Sequence, residues 1–197
     1  SSFTDNPIKI REPRYLSADE IAHDVLKIPV DERIALFTHA SHDIHHVKER
    51  GYVETPARIT AIKRELDKTE LFTTGEVTRA PEAAILGVHD PEMVRYLKKL
   101  SESLTDEKSV YPYVFPIRNA KRKPKDLETR VGYYCIDTFT PMSKNAWHAA
   151  RVAADCAYSA AKAVAAGAPM AYALVRPPGH HAEYGAFGGF CYINNAA

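Results

Sequence analysis

The stretch that most limits how this chain can fold is Arg176-Pro177-Pro178-Gly179-His180-His181-Ala182, which follows directly on an apolar run at residues 170–175. That run, bounded by Pro169 and Pro177, reads as a buried strand. Successive side chains on a strand face opposite ways, so adjacent histidines could not share a site if the strand continued. The Pro-Pro-Gly bend ends it. Each proline fixes φ and lacks an amide hydrogen, and glycine accepts backbone geometries closed to other residues. Two imidazoles are thereby delivered side by side at the carboxyl end of a strand, where open α/β sheets place their ligands. Such a pair suits hydrolysis, with one ring taking a proton from water while the other supports the developing charge. A bare His-His dipeptide is more often a rim feature or a chance repeat, so the flanking residues decide the reading.

At 197 residues the chain is long enough for about one domain with a real core. Its 26 basic and 25 acidic residues leave a net charge of +1, which gives no sign of a general polyanion binder. Residues 1–14 lack the apolar region of a secretory leader. The longest stretch of low charge, residues 146–166, is interrupted by Arg151, Asp155 and Lys162, so no membrane span is expected. Cys135, Cys156 and Cys191 are odd in number and have no paired spacing, which fits reduced thiols in a cytoplasmic protein.

Taken in order, residues 1–33 read as an amino-terminal arm, with Ser17 and Glu20 forming a capping box. Residues 34–38 read as the first strand of the main domain, 34–197. His39, His42, His45 and His46 follow within eight residues, and a polar loop at a strand end is favoured over a metal site. Thr55 supplies a capping hydroxyl and Pro56 a first-turn proline for a helix with Ile59, Ile62 and Leu66 inward. Residues 76–79 and 85–88 read as short strands. Asp90 and Pro91 start a helix that buries Met93, Val94, Leu97 and Leu100, and His89 reads as structural, holding the turn by a hydrogen bond. Residues 105–131 form a long connection without clear secondary structure, with a basic cluster at Arg118, Lys121, Arg122, Lys123 and Lys125. That cluster lacks any glycine-aromatic sheet motif, so no nucleic acid is expected. Residues 143–166 read as an alanine-rich helix stopped by Gly167.

The bend at 176–182 together with Gly188-Gly189-Phe190-Cys191-Tyr192-Ile193-Asn194-Asn195 resembles the signature of the zinc-dependent deacetylases, the histone deacetylases and their bacterial relatives. Phe115-Pro116-Ile117-Arg118, Pro124 to Glu128 and Gly132-Tyr133-Tyr134-Cys135 further resemble the insertion of the bacterial acetylpolyamine amidohydrolases. The resemblance covers most of residues 34–197, roughly the amino-terminal half of such an enzyme. It implies an α/β fold, a mostly parallel sheet with helices on both faces, as in the arginase-deacetylase architecture. It implies a hydrolase that removes acetyl groups from acetylated polyamines and releases acetate. His181 would be the general base and His180 its electrostatic partner. Gly189 would lend a backbone contact and Phe190 one wall of a narrow tunnel. Arg58, otherwise a solvent-facing first-turn residue, would line an internal channel for the acetate product. Glu128 would receive the substrate's distal ammonium. Tyr134 stands where histone deacetylases carry an aspartate that grips peptide backbone, so it marks a different substrate contact. A second acidic position of the polyamine enzymes is Phe139 here, which leaves amine length open. The insertion at 105–131 would support a homodimer that narrows the entrance. Zn2+ is expected for the intact enzyme, with ligands beyond Ala197 and none within this chain. The alternatives are a protein acetyl-lysine deacetylase and a non-catalytic binding fragment.

Overall fold

The structure is a computed structural model that describes residues 28–48, 52–113, 115, 117 and 119–197. The capping box at Ser17 and Glu20 lies outside the described residues, as does most of the arm expected at 1–33. Three short strands form a parallel sheet in the order β2-β1-β5: β1 (Ile34–Phe37), β2 (Phe72–Thr74) and β5 (Ala171–Ala173). Ala35 pairs with Thr73 on one side and Ala171 on the other.

Strand alternation sorts the side chains onto two faces. Leu36, with Leu174 just past β5, turns to one face and meets Ile59, Ile62 and Leu66 of α1 (Ala57–Leu66). Ala35, Phe37, Ala171 and Ala173 turn to the other and meet Cys156, Ala160 and Ala163 of α5 (Ala146–Ala165). Helices therefore cover both faces, as expected. The alanines of α5 make close approach to the sheet cheap, since they bring little side-chain entropy to lose. Gly167, at φ +107°, ends this helix in a backbone region that L side chains avoid.

A second, larger core lies beside the sheet. It is built from Met93, Val94, Leu97 and Leu100 of α3 (Pro91–Ser103), with Ala146 and Ala150 of α5, Val131, Met142, Phe187 and Tyr192. The Asp90 side chain caps α3 by accepting from the Glu92 amide at 2.7 Å. His89 is fully buried between elements. Its Nδ1 meets the Glu183 carbonyl at 2.8 Å, and its Nε2 accepts from the Asn194 amide at 2.8 Å. That pattern requires the neutral ring protonated on Nδ1, and burial lowers its pKa in the same sense.

Several local expectations fail for physical reasons. Residues 85–88 belong to a helix, α2 (Glu82–Val88), and not to a strand. A four-residue apolar run carries no period that separates the two. Residues 76–79 pair with no strand among the described residues, and side chains of α5 take backbone groups of Thr78 and of Ala80 just beyond it. Ser159 Oγ accepts from the Thr78 amide at 2.9 Å, the Asp155 carboxylate accepts from the Ala80 amide at 2.8 Å, and Arg151 donates to the Ala80 carbonyl. The Thr55 hydroxyl makes no cap; Pro56 takes the cap position and the Thr55 carbonyl accepts from the Arg58 amide. The 105–131 connection contains a strand, β3 (Ser109–Val110), which pairs antiparallel with β4 (Met142–Ser143). It ends at a single helical turn, α4 (Val131–Tyr134).

Two buried polar groups tie the loops above β1 and β5 together. Arg176 is 1% exposed. It donates to the carbonyls of His42 at 2.6 Å and of His45, and to the Glu54 carbonyl at 3.3 Å, while its Nε faces the Glu54 carboxylate at 2.7 Å. His45 is 2% exposed, with Nδ1 at 2.7 Å from Ser143 Oγ and Nε2 at 3.1 Å from the Tyr192 hydroxyl. Tyr192 spends its own proton on the Pro141 carbonyl, so His45 is the neutral ring that donates from Nε2 and accepts at Nδ1. Burial first, then the positive Arg176, lowers the His45 pKa to about 3.

Two stability predictions follow from these groups. Glu54→Leu leaves the Arg176 guanidinium buried without its partner and should lower the unfolding free energy by about 3–5 kcal/mol in urea titration; a loss below about 1 kcal/mol would show that the pair is dispensable. For His45, the folded ring binds no proton between pH 6.5 and about 3 whereas the unfolded ring does. Its contribution is therefore fully present above pH 6.5 and is lost as pH falls toward 3. The urea midpoint should drop between pH 7.5 and 5, and a His45→Gln variant should show a shallower drop.

Candidate functional site

The site grows from the carboxyl end of β5. After Leu174 the chain enters the Arg176 anchor, and the Pro-Pro-Gly bend turns it across the sheet edge. Gly179 is required there, since a Cβ would stand 2.3 Å from the Asn195 amide nitrogen. The next loop is thus packed directly on the bend. It is fastened by the Asn194 side chain, which donates to the Ala182 carbonyl at 2.9 Å, and by the bridging ring of His89. His180 and His181 then project side by side, with ring centroids 4.2 Å apart and planes tilted by 45°. Both remain exposed on the surface of the described residues.

Gly189 lies against His181. A Cβ at this glycine would fall 2.6 Å from the imidazole Cδ2, and its φ of +57° is strained for any L side chain. Phe190 follows at φ +66°, an uncommon conformation for a bulky residue. Its ring meets Tyr52 edge-on at 5.4 Å and Phe139 at 5.3 Å. The structure therefore brings His180, His181, Gly189 and Phe190 into one constellation. Tyr52 and Phe139 extend its aromatic side, and the sequence gives little warning of that, because both partners are remote from Phe190 in the chain.

The other expected residues sit elsewhere. Arg58 is in the first turn of α1 and donates to the Val175 carbonyl at 2.9 Å, at the exit of β5, with Glu54 at 3.4 Å. Glu128 lies at the surface in an ion pair with Lys108 at 2.5 Å. Tyr134 lies further in. Its ring is buried in the core, stacked on Tyr96 at 4.9 Å, and its hydroxyl accepts from Lys123 at 3.1 Å. Its carbonyl bears on the site loop, accepting from the Phe187 amide.

The histidines at 39–46 form no ligand set. His39 Nδ1 accepts from the Ser41 amide and caps a single 3-10 turn (Ala40–Asp43), His42 Nδ1 meets the His39 carbonyl, and His45 is spent on Ser143 and Tyr192. Among the described residues no group of three or more His, Cys, Asp or Glu converges to hold a metal ion. These residues thus do not by themselves fit zinc. Thiol chemistry is disfavoured too: burial pushes Cys135 up to about 12 and raises Cys191, keeping both sulfurs protonated. What the constellation can do is transfer protons beside an apolar wall.

Residues 52–197 match the model of the histone deacetylase domain. The chain is 34% identical over 178 residues to the acetylpolyamine amidohydrolase of Burkholderia pseudomallei, covering 82% of this chain and 50% of that protein. It is 32% identical over 167 residues to acetylpolyamine amidohydrolase 2 of Pseudomonas aeruginosa, covering 81% and 47%. Its fold superimposes on the crystal structure of acetylpolyamine aminohydrolase from Burkholderia pseudomallei with a TM-score of 0.70 at 30% identity, covering 83% of this chain and 50% of that one. The chain spans about half the length of these curated relatives. The matched region carries the histidine pair, the glycine beside it and the aromatic that follows, and the chain belongs to the histone deacetylase domain family.

Proposed function

We propose that the complete enzyme carrying this chain hydrolyses the acetyl amide of acetylated polyamines, linear cationic amines, and releases acetate. The observation that carries this reading is the juxtaposition of two imidazoles 4.2 Å apart, one of them backed by Gly189, the residue just before Phe190. His181 takes a proton from the attacking water at a ring nitrogen. The same nitrogen returns it to the amine nitrogen as the C–N bond breaks, so acetic acid and the free amine form with no net proton change on the ring, and the acid's remaining proton passes to the amine, which leaves as ammonium beside acetate. His180, next to it, supports the charge that forms. Zinc, which the described residues do not by themselves hold, would supply polarisation of the acetyl carbonyl in a metal-loaded enzyme.

Phe190 gives the substrate methylenes an apolar surface. Glu128 is the carboxylate for a distal ammonium, and its pairing with Lys108 supports this, since that contact already seats a primary ammonium on it. Arg58 would attract the departing acetate. The connection at 105–131 is proposed as a homodimer contact, in a cytoplasmic enzyme without nucleic-acid or membrane partners. No helix among the described residues is long and apolar enough to cross a membrane.

In the complete gene product, His181→Ala should lower kcat by about 10²–10⁴-fold with zinc content unchanged; unaltered turnover would remove the assigned role. The substrate class is tested separately by comparing kcat/KM for acetylputrescine and for an acetyl-lysine peptide. The amine should be preferred, and a preference for the peptide would turn the reading to protein deacetylation.

A further inference from the structure

Behind the histidine pair lies a carboxylate for which the proposed chemistry has no direct use. Asp137 is in the segment between α4 and β4, and its two oxygens collect four good donors. Oδ1 accepts from the amides of Phe139 and Thr140, each at 2.8 Å. Oδ2 accepts from Thr140 Oγ1 at 2.8 Å and from the Gly189 amide at 2.5 Å. The Cys135 thiol makes a longer approach to Oδ1 at 3.8 Å. Thr140, fully buried, passes the connection on, since its Oγ1 accepts from the Phe190 amide at 2.9 Å.

These contacts converge on Gly189, whose φ glycine adopts without strain, and on Phe190, which needs help to stay where it is. Gly189 and Phe190 both hold positive φ, +57° and +66°. A bulky residue keeps such a conformation only when its surroundings over-determine it. The amides of both residues are claimed by the Asp137–Thr140 unit, and each of those residues bears on the reaction surface. Gly189 packs against the His181 ring, so its height sets where that ring can sit. Phe190 forms the wall, and its neighbour Phe139 is fixed through its own amide by the same carboxylate.

We propose that Asp137, acting with Thr140, is the positioning residue that holds Gly189 against His181 and Phe190 against the substrate channel. This rests on His181 being the proton-transfer group. A carboxylate is suited to the task because four donors need two acceptor oxygens with several lone pairs, all of which an ionised Asp provides. Asparagine offers one acceptor oxygen and turns a second donor group toward the Gly189 amide.

The test uses the complete, zinc-loaded enzyme and acetylputrescine, with Asp137→Asn, Thr140→Val and Thr140→Ser compared by kcat, KM, zinc content and melting temperature. Asp137→Asn should lower kcat roughly tenfold to hundredfold at unchanged zinc content, the scale expected when a reacting group is displaced by about 1 Å. Thr140→Val, equal in shape but without the oxygen, should lower kcat/KM at least tenfold. Thr140→Ser, which keeps the oxygen, should stay within about threefold of the parent, a recovery that a packing role would not give. Folded, zinc-loaded Asp137→Asn with kcat within twofold of the parent would overturn the proposal. So would Thr140→Ser failing as badly as Thr140→Val, or both Asp137→Asn and Thr140→Val failing to fold, since the unit would then be scaffold alone. His181→Ala run alongside separates the two ideas: its inactivity with a fully active Asp137→Asn confines the failure to Asp137, whereas activity in both removes the proton-transfer reading.

Discussion

The arrangement of this molecule depends on one buried cation. Arg176 leaves β5 and binds, within a single guanidinium, the carbonyls of the loop after β1 and both the carbonyl and the carboxylate of Glu54 before α1. Arg176 lies more than 120 residues from the other two segments, and they meet beyond the carboxyl ends of β1 and β5. A planar fork of five donors can hold them together at once in a way an ammonium cannot. Burying the charge is costly unless its partners are in place, so the cation also selects the one loop arrangement that satisfies it. The Pro-Pro-Gly bend starts at the next residue. The histidine pair is therefore carried on a rigid mount.

A second layer of control lies on the opposite side of the pair. Phe190 holds a conformation that a bulky residue in a free loop would abandon, and Thr140 with the rings of Tyr52 and Phe139 keeps it there, while Asp137 holds the Gly189 amide before it. His89 and His45 serve the same end from within the core as neutral, doubly bonded rings. The buried His45 and His89 spend both ring nitrogens on hydrogen bonds, whereas the paired rings of His180 and His181 stand exposed.

What could be read in the sequence was what local chemistry decides. The bend at 176–182 announces itself because proline and glycine restrict the backbone without help from elsewhere. Asp90 and Pro91 mark the start of α3 for the same reason, and the alanine run marks α5. What escaped was decided at a distance. Residues 76–79 look like a strand, yet the backbone of Thr78, and of Ala80 just beyond, bonds to side chains of α5 some 75 to 81 residues away. The stacking of Tyr134 on Tyr96 joins residues 38 positions apart, which no local pattern signals. Asp137 gave no signal in isolation, because its meaning lies in a contact to an amide 52 residues further on.

The central claim is that the two imidazoles meet the scissile amide with the Phe190 ring beside them. A crystal structure of the complete enzyme with a non-hydrolysable acetylputrescine analogue bound tests this most directly. The account predicts a His181 ring nitrogen within about 3.2 Å of the water or analogue atom at the acetyl carbonyl, and the methylene chain lying along Phe190. A bound analogue lodged away from residue 190, with both rings turned into unrelated surroundings, would contradict it.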